Sequence, residues 1–283
     1  MGILKRYLIV IILINIMLTT GCSSNGSTST VSSVDTVTVA TVKMSDTTTF
    51  VKNNGDVCAI YADASFCYPT SFHDKASLDE LQKLYITLVL DAPDSLSLNS
   101  AMINCVNNSL HQYDLRQADN DLLKEEAIDE SEPFLVYRTT TTIQLHYNKN
   151  NLVTFCRIDM VKKDSLVTSV THQYYTIDLK KMTKVGLTQI VREDAQSQVT
   201  SLLRARLLEQ NKVENNDQLN ELGYYNIDNL IATQNFYFDS NGVTWSYLPN
   251  KLAVSAIGEP HVTLTIDELK PLACDESILD RIE

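Results

Sequence analysis

Past Pro133 the apolar residues of this chain stop recurring at helical spacing and begin to alternate, so neither an all-helical nor an all-β architecture accommodates the whole sequence. Before the switch, Leu78, Leu81, Tyr85 and Leu88 recur at helical spacing. Leu98, Met102, Cys105, Val106, Ser109, Leu110 and Tyr113 then fall on one stripe. Ser77 with Glu80 reads as the capping box that starts the first of these helices. Beyond the switch, Leu135, Tyr137, Ile143, Leu145 and Tyr147 take alternate positions among threonines, the period of a strand with one covered face.

The polar residues 148–151 predict a turn, and a second strand over 152–160 places Leu152, Cys156, Ile158 and Met160 on one side. Residues 162–165 turn the chain into a third strand over 166–179. These strands read as an antiparallel meander. Asp194 is then expected to cap a helix that turns Ala195, Val199, Leu202, Leu203 and Leu207 to a core, with Arg204 and Arg206 at its rim. The clearest hairpin joins Phe236, Tyr237 and Phe238 to Val243, Trp245 and Tyr247, with Asn241-Gly242 supplying the positive φ values of a tight reversal. A last strand over 261–266 meets a capping box of Thr265 and Glu268, and Pro271 stops the short helix that follows. The order of elements predicts an α+β fold, an antiparallel β meander packed with helices.

The first fifty residues point elsewhere. Lys5 and Arg6 precede an apolar run over 7–18, which is short against the roughly 20 residues of a membrane span, and Gly21 precedes Cys22. This is the pattern of a bacterial lipoprotein signal, with Thr19 where an aliphatic residue is usual. It predicts cleavage after residue 21, attachment of lipid to Cys22, and a cell-envelope protein anchored to a membrane outside the cytoplasm. Residues 22–50, rich in Ser and Thr, read as a flexible tether, in which Val37, Val39 and Val42 could form a stray strand. The folded domain is expected over 51–283, divisible at most into 51–180 and 181–283.

Removing residues 1–21 takes Lys5 and Arg6 and no acid, so the net charge of −12 becomes −14. That balance disfavours nucleic acid, whose phosphates it repels, and suits either a basic partner or simple solubility. With Cys22 lipidated, Cys58, Cys67, Cys105, Cys156 and Cys274 remain. They form an odd set without a CxxC, read as buried thiols. Cys58 and Cys67 fall on one expected strand, too far apart to bridge unless the chain turns between them.

No catalytic, cofactor or metal set emerges. His73, His111, His146, His172 and His261 are scattered, with no HxxxH or HExxH spacing, and there is no GxSxG elbow or phosphate loop. Glu125, Glu126, Asp129 and Glu130 stand close together and read as a solvated face. On the hairpin one face must be core. If the other is open, Tyr237 or Trp245 is placed to stack on a sugar or to anchor a partner.

The aromatic strands about Gly242, the Tyr247-Leu248-Pro249 step, Gly258, and the run from Val262 to Ile266 leading into Leu269 resemble the extracellular domain of the RsiV family of lysozyme-sensing anti-sigma factors. That domain also stands beside the catalytic domain of some peptidoglycan deacetylases. The resemblance covers about residues 55–272 and is specific over 235–272. Asn250-Lys251 replaces the family's Tyr-Glu pair, and 166–172 lacks its Gly-Ala-His-Gly segment. The resemblance implies a non-catalytic binding domain for a lysozyme-like protein or for peptidoglycan. The alternative it leaves is an envelope enzyme or accessory subunit acting on peptidoglycan or polysaccharide.

Overall fold

The computed structural model describes residues 35–51, 57–123, 134–164, 166–275 and 277–282. It divides into two compact units, Met1–Gln144 with Ile158–Val170 and Leu145–Arg157 with Thr171–Glu283. The division does not follow the expected boundary at residue 180. It cuts through long strands whose two ends belong to different cores.

In the first unit, strand β1 (Thr38–Val51) runs antiparallel to β2 (Val57–Ser71). This corrects the tether, because residues 38–50 of it lie in β1. A Thr- and Val-rich segment has high strand propensity, and here β2 supplies the backbone partners that a lone segment lacks. Pro69 is tolerated inside β2 because it pairs where the register shifts, between Thr38 and Val39. Cys58 and Cys67 do lie on this one strand.

Helix α1 (Lys75–Leu88) is capped by Asp74, whose Oδ1 accepts from the Ser77 amide at 2.8 Å. The cap therefore lies three residues before the expected Ser77. Leu81, Tyr85 and Ile86 are buried, and the Tyr85 hydroxyl donates to the Cys67 carbonyl at 2.9 Å, tying the helix to β2. Helix α2 (Leu98–Leu123) buries Met102, Cys105, Val106 and Leu110 as its stripe predicts. The acidic residues 125–130 lie outside the described residues.

Strand β3 (Phe134–Lys149) pairs with β2 in parallel, from Val57 opposite Phe134 to Phe66 opposite Ile143. The sheet is therefore mixed and not wholly antiparallel. Two helices between β2 and β3 carry the chain back to the same end of the sheet, which a hairpin cannot do.

Strands β4 (Leu152–Lys163), β5 (Leu166–Asp178) and β6 (Thr183–Lys184) complete the six-stranded order β1-β2-β3-β4-β5-β6. Asn150 and Asn151 turn β3 into β4 with φ of 53° and 60°. Asparagine is among the few non-glycine residues that enter this region readily.

In the second unit a single 3₁₀ turn containing Asp194 precedes helix α3 (Gln196–Asn211), so Asp194 does not act as its cap. Val199, Leu203 and Leu207 face the core, and Lys212 ends the helix in the left-handed region. Helix α4 (Asn216–Glu221) starts at Asn215, whose side chain accepts from the Gln218 amide.

Strands β7 (Phe236–Asp239), β8 (Gly242–Ser246) and β9 (His261–Leu264) form a separate antiparallel sheet. Of the expected Asn-Gly pair only Gly242 has positive φ, at +138°. A Cβ there would stand 2.2 Å from the Leu264 carbonyl oxygen, so glycine allows β8 and the end of β9 to approach. The capping box of Thr265 and Glu268 starts α5 (Ile266–Leu269) as predicted.

Trp245, Phe236, Phe238, Val262 and Leu264 join the α3 leucines in one core. Arg281 closes the unit. Its guanidinium donates twice to the Asp178 carboxylate, at 2.8 and 3.0 Å, and also to the carbonyls of Asn150 and Asn151. Among the described residues no helix is long and apolar enough to cross a membrane.

Candidate functional site

The loops on either side of β7 and β8 enclose an open cleft of about 450 Å³. Leu230, Ile231, Tyr247, Leu248 and Leu252 give its apolar wall, and Asn226, Asn229, Thr233, Asn235, Ser246 and Lys251 give its polar one. A smaller recess of about 270 Å³, lined by residues that include Gln173, Tyr174, Lys184 and Gln234, shares Asn235 and Leu248 with it. The volume of the larger cleft falls within the about 300–1,000 Å³ of small-molecule sites.

Asn235 fixes the wall between the two. Its Oδ1 accepts from the Tyr174 amide at 2.9 Å, and its Nδ2 donates to the carbonyls of His172 and Ser246. One carboxamide thereby ties β5 to β8. Tyr247 is held similarly, its hydroxyl donating to the Ile231 carbonyl at 3.0 Å, and burial raises its pKa. Among the described residues the Ser246 hydroxyl, buried in the same wall, has no hydrogen-bond partner. A buried hydroxyl left unpaired costs about 1–3 kcal/mol.

Beside this wall lies a cluster that the sequence does not reveal. His146 on β3 stands edge-on to Tyr174 and Tyr237, with ring centroids 5.3 and 4.5 Å away, and His261 is 6.2 Å from Tyr237. Glu259 accepts from the His172 backbone amide at 2.7 Å and meets the His172 Nδ1 at 2.7 Å. Burial lowers the pKa of His146 and of His261. Burial also raises the Cys156 thiol to about 11, which makes it a poor nucleophile. Among the described residues no three His, Cys, Asp or Glu side chains are placed to hold a metal ion.

Three of the five scattered histidines are therefore brought together, by β3, β5 and β9. His73 is exposed in the first unit against Phe72, and His111 offers no described side chain. The aromatic hairpin departs from expectation too. Trp245 is fully buried, because β8 is covered on both faces, and cannot stack on a sugar. Tyr237 is half-buried within the histidine cluster. Cys67, Cys105 and Cys156 are buried and Cys274 is half-buried, while Cys22 lies outside the described residues. Of the two departures from the RsiV pattern, Lys251 lies in the cleft lining, and a cleft built by loops leaves no periodicity that would mark the rest.

Residues 186–267, which lie in the second unit, match the model of the family described as a protein of unknown function, DUF3298. The chain is similar in fold to a crystallised member of that family from Bacteroides fragilis, at a TM-score of 0.68 and 17% identity, over 88% of this chain and 98% of that one. A DUF3298 protein from Pseudomonas aeruginosa matches at a TM-score of 0.48 and 10% identity, over 86% and 97% of the two chains. No curated protein matches. The fold is thus a mixed α+β arrangement of the DUF3298 kind.

Proposed function

We propose that the chain is a cell-envelope lipoprotein, tethered through Cys22, whose RsiV-like second unit is a non-catalytic binding domain for a lysozyme-like protein or a wall glycan. The observation that carries the binding assignment is the cleft. Its walls are aliphatic, carboxamide and hydroxyl side chains, suited to holding a ligand by shape and hydrogen bonds. The leader sequence supports the tether.

Mass spectrometry of the protein from bacterial membranes tests the anchor, with a diacylated Cys22 at the new N-terminus expected. Retention of lysozyme at low salt, or of the protein on purified peptidoglycan, tests the binding domain. A chain that keeps residues 1–21 sinks the first claim. A chain that retains neither ligand sinks the second, and release of sugar fragments from peptidoglycan replaces it with an enzyme.

A further inference from the structure

We propose that the cleft beside β8 receives an extended acidic segment of a protein partner, one apolar side chain entering between Leu230, Leu248 and Leu252 and a neighbouring carboxylate meeting Lys251. The proposal rests on the binding-domain reading and narrows its ligand. The apolar wall is the first support. Leu230 and Leu252 are 2% and 3% exposed at the floor, whereas Ile231 at the lip is 59% exposed. An aliphatic side chain left in water beside a concave apolar wall is what a protein contact covers.

Charge is the second. The chain carries 35 acids against 23 bases, yet neither the cleft nor its adjoining recess is lined by any Asp or Glu, and each is lined by one lysine, Lys251 and Lys184. A carboxylate in the cleft therefore meets one positive and no negative lining side chain, although the net charge of −12 opposes its approach at long range.

Hydrogen bonding is the third. The Asn226 and Asn229 carboxamides line the cleft with no partner among the described residues, and each offers the donor and acceptor that a peptide group requires. A saccharide commonly stacks on an open aromatic face, which the cleft itself does not offer, the half-buried Tyr174 and Tyr175 lining only the recess. Tyr247, the cleft's aromatic residue, is 6% exposed with its hydroxyl already engaged.

The test uses the full chain in detergent and dye-labelled blocked pentapeptides, followed by fluorescence anisotropy. One peptide carries a leucine beside two glutamates, a second has lysines for the glutamates, and a third has serine for the leucine. The leucine–glutamate peptide is expected to bind saturably, at least threefold tighter than the lysine peptide, with the serine peptide silent. Lys251→Glu should weaken it at least threefold, and Leu248→Asp, at a half-buried position that leaves the core intact, should abolish it while thermal melts stay unchanged. Equal binding of the two charged peptides, indifference to Lys251→Glu, or displacement by chitotetraose overturns the proposal.

Lysozyme and peptidoglycan retention of the same preparations separates the two levels. If the wild type and Lys251→Glu are retained equally and every peptide is silent, the cleft assignment falls and the binding domain stands. Retention of neither ligand by the wild type removes the binding domain itself.

Discussion

Strands β1 and β8 are both made largely of small and hydroxylated residues, yet they are strands for different reasons. β8 is the central strand of its sheet, and all five of its residues are buried. β1 is an edge strand, and none of its residues from Thr38 to Thr49 is buried. What holds β1 is the backbone ladder to β2, and what holds β8 is the core on both of its faces. The second unit should therefore answer to side-chain deletion and the β1 edge scarcely at all.

Ion pairs give the sharpest form of that contrast. Asp178 is 3% exposed and Arg281 20%, whereas the Arg138–Asp63 pair of the first unit is 46% and 38% exposed. Burial pushes the Asp178 carboxyl up, but bonds from Arg281 and the Lys180 amide outweigh it and hold it below the usual range. Arg281→Met strands a buried carboxylate and should cost about 3–5 kcal/mol in urea unfolding. Arg138→Met should cost less than about 1 kcal/mol, water already screening that pair. Equal losses would break the comparison.

Gly242→Ala comes next. It forces both a positive φ and a clash with the Leu264 carbonyl, and roughly 3 kcal/mol is expected, against the usual few tenths for a surface glycine. Within the cores, Val243→Ala on β8 should cost about 2–3 kcal/mol, while Val42→Ala on β1, half-buried opposite Phe66, should cost less than about 1 kcal/mol. A Val42→Ala loss as large as that of Val243→Ala would show that β1 is held by side-chain burial after all.

The same difference explains what could be read from the chain. Helices α1 and α2, the β3–β4–β5 meander and the β7–β8 hairpin each bury a stripe or a face, and burial writes periodicity into the sequence. β1 buries no face fully, so Thr, Ser and Val in it have the composition of a tether. The parallel pairing of β2 and β3 was equally hidden, because strand patterns state which residues face a core and not which way the neighbouring strand runs. The meeting of His146, His172 and His261 depends on three strands far apart in sequence. Asn235 carries no pattern at all, since its role is set by three backbone groups at once.

The smallest effect expected is also specific to the second unit. Burial is the leading influence on His146, opposed by Asp239, and on His261, opposed by Glu259 and reinforced by His172. In each, the folded pKa lies below the unfolded value of 6.5, so the unfolded chain binds more protons. Stability should therefore fall as pH drops through about 6.5 and level off below the folded pKa. Cys156 and the tyrosines Tyr174 and Tyr237 are displaced upward, and Asp178 and Glu268, both displaced downward, lose their contribution only as pH falls through the carboxylate range. Urea midpoints at pH 7.5, 6.5 and 5.5 give the slope, and His146→Phe with His261→Phe should flatten it. A midpoint that rises on acidification would mean that the imidazoles gain a stabilising partner when charged, and that the cluster is less sheltered than the rest of the second unit.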